Sequence, residues 1–215
     1  KDNSTAAGVW SVTGNQLEPG FMSIVNTFSS TYTSGGTYAC VALDANTSIH
    51  FARLTSGFTA FIVDNVGKVI STPVTVDATA SMLPVQIFKV SSTTAIVFYT
   101  TGGSSNKAVV LTLAGSSPSF SLTVGTPQSY GSTMDSGWGL EDMGSYAPKI
   151  AQLSSTLYLC SFTLSTTTKC VAISVSGTTV TIGTAATIIT GFTNTQNSTT
   201  TYPLTATTAA VLYKN

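Results

Sequence analysis

One stretch of this chain holds most of the side chains that could do chemistry. Between Gln128 and Ala147 stand Tyr130, Asp135, Trp138, Glu141, Asp142 and Tyr146, so three of the eight acidic residues fall close together. Aromatic rings beside carboxylates suit a saccharide: rings stack on the apolar faces of sugars, and carboxylates accept hydrogen bonds from their hydroxyls. Asp135 and Glu141 can also be read as the carboxylate pair of a glycosidase, a chemistry that needs a set separation between them. The plainer alternative is a connecting loop whose Trp138 covers the end of a domain.

The other reactive residues are sparse. His50 is the only histidine and lies between Ile49 and Phe51, the setting of a structural residue in an apolar strand. With a single histidine and no Gly-x-Ser-x-Gly turn, a conventional hydrolase site is not expected. Cys160 and Cys170 flank the segment Thr163 to Thr168 and could face each other across a hairpin, forming a disulfide in an oxidising compartment. The alternative is two buried small residues. Cys40 reads as a buried free thiol. No Cys-x-x-Cys pair is present, and no catalytic residue, metal or cofactor is expected. Asn3, Asn46 and Asn197 each begin an N-glycosylation acceptor triplet, a match that arises easily in a chain rich in hydroxyls.

That richness bounds the class. Of 215 residues, 7% are charged, and eight basic and eight acidic side chains cancel. Ser (29) and Thr (39) supply solubility instead. Phosphate binding needs clustered cations, whereas Lys68, Lys89, Lys107, Lys149 and Lys169 stand apart. Nucleic acid is therefore not an expected partner. No apolar run is long enough to span a bilayer, and Lys1 to Thr5 is not an apolar signal segment. The expectation is a processed secreted protein or one that leaves its cell by another route, such as inside a particle. Disorder is excluded, because 42% of residues are apolar and fall in ordered runs.

Those runs carry the strand pattern throughout, with no helical periodicity, and they repeat. Val90-Ser91-Ser92-Thr93-Thr94-Ala95-Ile96-Val97-Phe98-Tyr99 is matched by Leu153 to Phe162 and by Leu204 to Tyr213, and more faintly by Leu43 to Phe51. Each is an apolar residue, a hydroxyl turn and an apolar strand. A strand, a glycine turn and an alternating strand follow: Thr59 to Val76 around Gly67, Ala108 to Val124 around Gly115, and Cys170 to Ile182 around Gly177. The last unit stops after its first two strands, and the N-terminus supplies the other two. Gly8 to Gly20 matches Val171 to Gly183 in frame, Gly14 on Gly177.

Four strands per unit, three whole units and a fourth split between the two ends predict an all-β, four-bladed β-propeller. The expected blades are about 38–80, 84–128 and 148–190, with a half-blade at 7–24 completed by 200–215. Inner strands apolar on both faces and alternating outer strands fit blades that cover each other. A two-sheet β-sandwich is the alternative.

The Leu153 to Thr156, Thr94 to Tyr99 and Val175 to Gly183 segments resemble tandem repeats of bacteriophage tail-fibre or other appendage proteins and of marine bacterial surface proteins. The resemblance covers roughly residues 85–215. It implies propeller blades in a virion or cell-surface assembly and brings no catalytic residues. The expected role is thus a non-enzymatic structural module at a virion surface or outside the cell, partnered by other subunits or copies of itself. The alternative is a glycan- or receptor-binding module using the 128–147 loop, and the remote one is a glycosidase.

Overall fold

The structure, a computed structural model, describes residues 10–13, 16–19, 38–54, 57–67, 69–78, 86–101, 105–132, 149–164, 167–191 and 199–213. Every regular element among them is a strand.

The repeated apolar–hydroxyl motif builds the same turn four times. The amides of Leu43, Val90, Leu153 and Leu204 donate to the carbonyls of Thr47, Thr94, Leu157 and Thr208, at 2.8 Å for the first and 2.9 Å for the rest. The next side chain caps the turn. Asp44 accepts the amides of Asn46 and Thr47 at 2.7 Å, and Ser91 that of Thr93 at 3.2 Å. Ser154 accepts the amide of Thr156 at 3.3 Å, and Thr205 those of Thr207 and Thr208 at 3.2 and 3.1 Å. Short polar side chains that hold their own backbone two or three residues on favour such turns.

On these turns stand three antiparallel blades. Blade 1 is β3 (Tyr38–Ala42), β4 (Thr47–Leu54), β5 (Gly57–Asp64) and an outer strand in two pieces, β6 (Val69–Ile70) and β7 (Val74–Asp77). Blade 2 is β8 (Gln86–Lys89), β9 (Thr94–Thr101), β10 (Ser105–Ser116), β11 (Ser119–Val124) and β12 (Gln128–Ser132). Blade 3 is β13 (Lys149–Gln152), β14 (Leu157–Leu164), β15 (Thr167–Ser176), β16 (Thr179–Ile182) and β17 (Ala186–Thr190).

Each outer strand is in two pieces, and that of blade 2 runs to Ser132. In each blade one backbone bond bridges the two pieces: Ser71 to Ile62, Gly125 to Val110, and Gly183 to Ala172. Beyond it the third and outer strands pair again across a bulge, at Phe58/Thr59, Asn106/Lys107 and Thr168/Lys169. Blade 2 therefore continues to Ser132. Its hairpin also extends past Gly115, which lies within β10 opposite Phe120, and reverses at Ser117-Pro118. Blade 3 reverses right at Gly177, whose φ of 57° is a left-handed conformation that suits glycine.

Alternation along the strands gives each blade two faces. In blade 2, Ala95, Val97, Tyr99, Val109 and Leu111 join Leu43, Ile49, Phe51, Phe58 and Ile62 of blade 1 in one core. Its intervening residues Ile96, Phe98, Ala108 and Val110 join Tyr158, Cys160, Phe162, Val171 and Ile173 of blade 3 in a second. Rings bridge both interfaces, Phe58–Tyr99 at 5.2 Å and Phe98–Tyr158 at 5.4 Å. A sheet covered on both faces belongs to a propeller, not to a two-sheet sandwich.

The fourth unit consists of two hairpins, β1 (Trp10–Thr13) with β2 (Gln16–Pro19), and β18 (Thr199–Pro203) with β19 (Ala209–Tyr213). Among the described residues no ladder joins them. β18 lies against β13 and β14, and Thr201 and Ser161 share a buried hydroxyl contact of 2.6 Å.

Candidate functional site

The ladders fix which strand ends share one end of each blade. Leu54 faces Gly57, Thr101 faces Ser105, and Leu164 faces Thr167, so in each of the three blades the second strand ends and the third begins there. Ser132 pairs Ser105 there too. Lys149, the first residue of β13, pairs Ser161 near the same end of blade 3.

Of the six residues singled out in the 128–147 segment, Asp135, Trp138, Glu141, Asp142 and Tyr146 lie outside the described residues. Tyr130 is described, and it corrects the expectation of an exposed sugar-stacking ring. As the bulged residue of β12 it turns inward, 4% exposed. It sits edge-on to Phe98 and Phe162 at 6.0 and 6.3 Å. Its hydroxyl is buried with no hydrogen-bond partner among the described residues, and burial pushes its pKa well above the usual value. The ring belongs to the core between blades 2 and 3.

The same end holds a charged cluster that sequence reasoning missed. Asp77 closes β7, Tyr99 lies near the end of β9, and Lys107 lies near the start of β10. Lys107 Nζ donates to Asp77 Oδ2 at 2.8 Å, and the Tyr99 hydroxyl donates to the same oxygen at 3.1 Å. Burial, then the charge of Asp77 and the hydrogen bond to it, drive the Tyr99 pKa far up. The phenol therefore stays protonated as a donor, and the cluster clasps blade 1 to blade 2. Partners 22 and 30 residues apart leave no spacing signal. The blade repeat does carry one, because the ladders make Asp77 equivalent to Gly131, and Tyr99 to Phe162. At the next interface the carboxylate is thus replaced by a glycine against which Phe162 packs. A Cβ on Gly131 would come within 2.6 Å of that ring.

His50 fills its expected place in β4, opposite Cys40 and Phe61. Its ring stacks on Phe61 at 5.2 Å, and Nε2 lies 2.8 Å from Ser48 Oγ. Burial pushes its pKa down to about 4, so it is neutral at physiological pH. Among the described residues no group of three or more His, Cys, Asp or Glu side chains comes together.

The disulfide expectation is corrected by one residue of register. Cys160 pairs Val171, and Cys170 pairs Ser161, so the two thiols leave opposite faces of the sheet. Both are free and buried, and burial raises the pKa of each, that of Cys170 to about 11. Cys40, expected to be buried, is free and exposed.

No protein-family model and no curated protein matches the chain. Among solved structures it is similar to the crystal structure of a subtype N11 neuraminidase-like protein of A/flat-faced bat/Peru/033/2010, with 10% identity and a TM-score of 0.43. The match covers 91% of this chain and 60% of that one.

Proposed function

We propose that this chain is a non-enzymatic structural module of a virion appendage or an extracellular surface assembly, joined to other subunits or to copies of itself. The observation that carries the reading is an uncovered apolar face on β18–β19. Tyr202 and Leu212 point away from blade 3 and are 54% and 55% exposed, and Leu204 beside them is 67% exposed. Leu212 occupies the position that Phe51 and Phe98 hold in blades 1 and 2, where both rings are buried. Contiguous exposed apolar side chains at a site that neighbours bury mark an association surface. The appendage resemblance of the repeats supports the same role. Sedimentation of the full chain tests it: concentration-dependent association is expected, and Leu212→Ser with Tyr202→Ser abolishes it. A wild-type chain that stays monomeric at every concentration overturns the proposal.

A second reading, glycan or receptor binding through residues 128–147, draws support from Ser132 and Lys149, which bracket residues 133–148 and both stand at the end of the blades where the second strands finish. Loops on a rigid scaffold are where binding residues concentrate. Binding to a glycan array that is lost in Trp138→Ala favours this reading; an array without signal disposes of it.

A further inference from the structure

We infer that the N-terminal hairpin β1–β2 docks along the outer edge of β19 of the same chain, with Ser11 opposite Thr208 and Trp10 opposite Ala209, and thereby covers the outer half of blade 3. This pairing does not depend on the assembly role proposed above.

Three observations carry it. The first is the frame. β15–β16 reverses through two residues with Ser176 facing Thr179, and β1–β2 reverses through two residues with Thr13 facing Gln16. Trp10 and Ser11 then correspond to Ile173 and Ser174, which face Tyr158 and Leu157 of β14. The turn bonds of the repeat make Leu157 equivalent to Thr208, which sets the register.

The second is the edge. In all three complete blades the second strand pairs on both sides, whereas β19 pairs only with β18 among the described residues. An open strand edge invites a further strand.

The third is what blade 3 leaves bare. Its inner half is covered, since Ser161 is buried beneath Thr201. Its outer half is not. Ala172 occupies the position of Ile62 and Val110, which are buried to within 1%, yet it is exposed. Ile188 occupies the bulge position of Val76 and Tyr130, both buried, and is 39% exposed. Strands three and four of a fourth blade would lie over these two residues. The hairpin also brings bulk where blade 3 is small, Trp10 taking the frame position that faces Ala172.

The occupant is the chain's own hairpin and not that of a second copy. From Pro19 to Tyr38 the backbone can span roughly 60 Å, so the tether reaches. A tethered segment meets its site at an effective concentration that separate molecules rarely match.

The test uses the full chain with Cys40→Ser, Ser11→Cys and Thr208→Cys. Facing residues of an antiparallel pair lie within disulfide range. Under mild oxidation the expected product is a monomer that loses its two introduced thiols equally over about a hundred-fold dilution. Dimers and longer ladders that grow with concentration would assign the site to a second copy and overturn the inference; two thiols left free in a folded chain would overturn it as well. A second readout removes dependence on that variant. In Trp138→Phe, Trp10 alone reports, and its emission is expected to shift to the red on adding Ala172→Asp. An emission unchanged by that substitution contradicts the docking.

Discussion

The clasp of Asp77, Tyr99 and Lys107 can be broken by a single atom exchange. Asp77→Asn keeps the shape of the side chain and removes its charge, leaving the Lys107 ammonium without its partner. Removing one member of a buried ion pair costs about 3–5 kcal/mol. Here Asp77 is 9% exposed but Lys107 keeps 25% of its side-chain surface in water, and the amide still offers Tyr99 an acceptor. Both facts reduce the penalty, to about 2 kcal/mol, which for a chain of this size lowers the melting temperature by roughly 4–8 °C. Urea denaturation followed by circular dichroism reads the difference directly. Lys107→Met provides the cycle: added to Asp77→Asn, it should cost less than it does in the wild type, because the charge it removes no longer has a partner. A loss below about 0.5 kcal/mol for Asp77→Asn would show an ordinary surface pair, and the clasp reasoning would be wrong.

Tyr130→Phe removes a hydroxyl that is buried without a partner among the described residues, so it should leave stability unchanged or raise it by about 1 kcal/mol; a clear loss in the same assay would mean that the hydroxyl is bonded. Burial pushes the His50 pKa down to about 4 from the usual 6.5, so between those values the unfolded chain binds the extra proton. Stability should therefore fall as pH drops from about 6.5 towards 4, by at most about 1.4 kcal/mol per unit. His50→Phe should flatten that slope, and an identical slope in the variant would refute the assignment. Alkylation followed by intact mass should label one thiol, Cys40, in the folded protein and all three after denaturation; two protected by oxidation would contradict the register of β14 and β15.

The hairpins of the fold were legible because their turns are written in side chains. Asp44, Ser91, Ser154 and Thr205 each cap a turn locally, so the signal survives in sequence. The two pieces of each outer strand are bridged by backbone alone at Gly125 and Gly183, and at Ser71 by backbone and hydroxyl together, so no common side-chain pattern marks their continuity. The disulfide reading failed on parity: a register shift of one residue moves a side chain to the opposite face, and the sequence between Cys160 and Cys170 does not reveal which residues turn. Tyr130 looked like a loop aromatic because its neighbours are polar, yet a bulge turns it inward. The Asp77 cluster joins two blades and was invisible to any local reading.

Hydrogen exchange on β19 tests the account most directly. If β1 completes the fourth blade, the amides of Ala209–Tyr213 that face away from β18 are protected in the full chain, and deleting residues 1–20 accelerates their exchange together with that of the amides around Ala172 and Ile188. Equal exchange in the two proteins would contradict a fourth blade built from both ends of the chain.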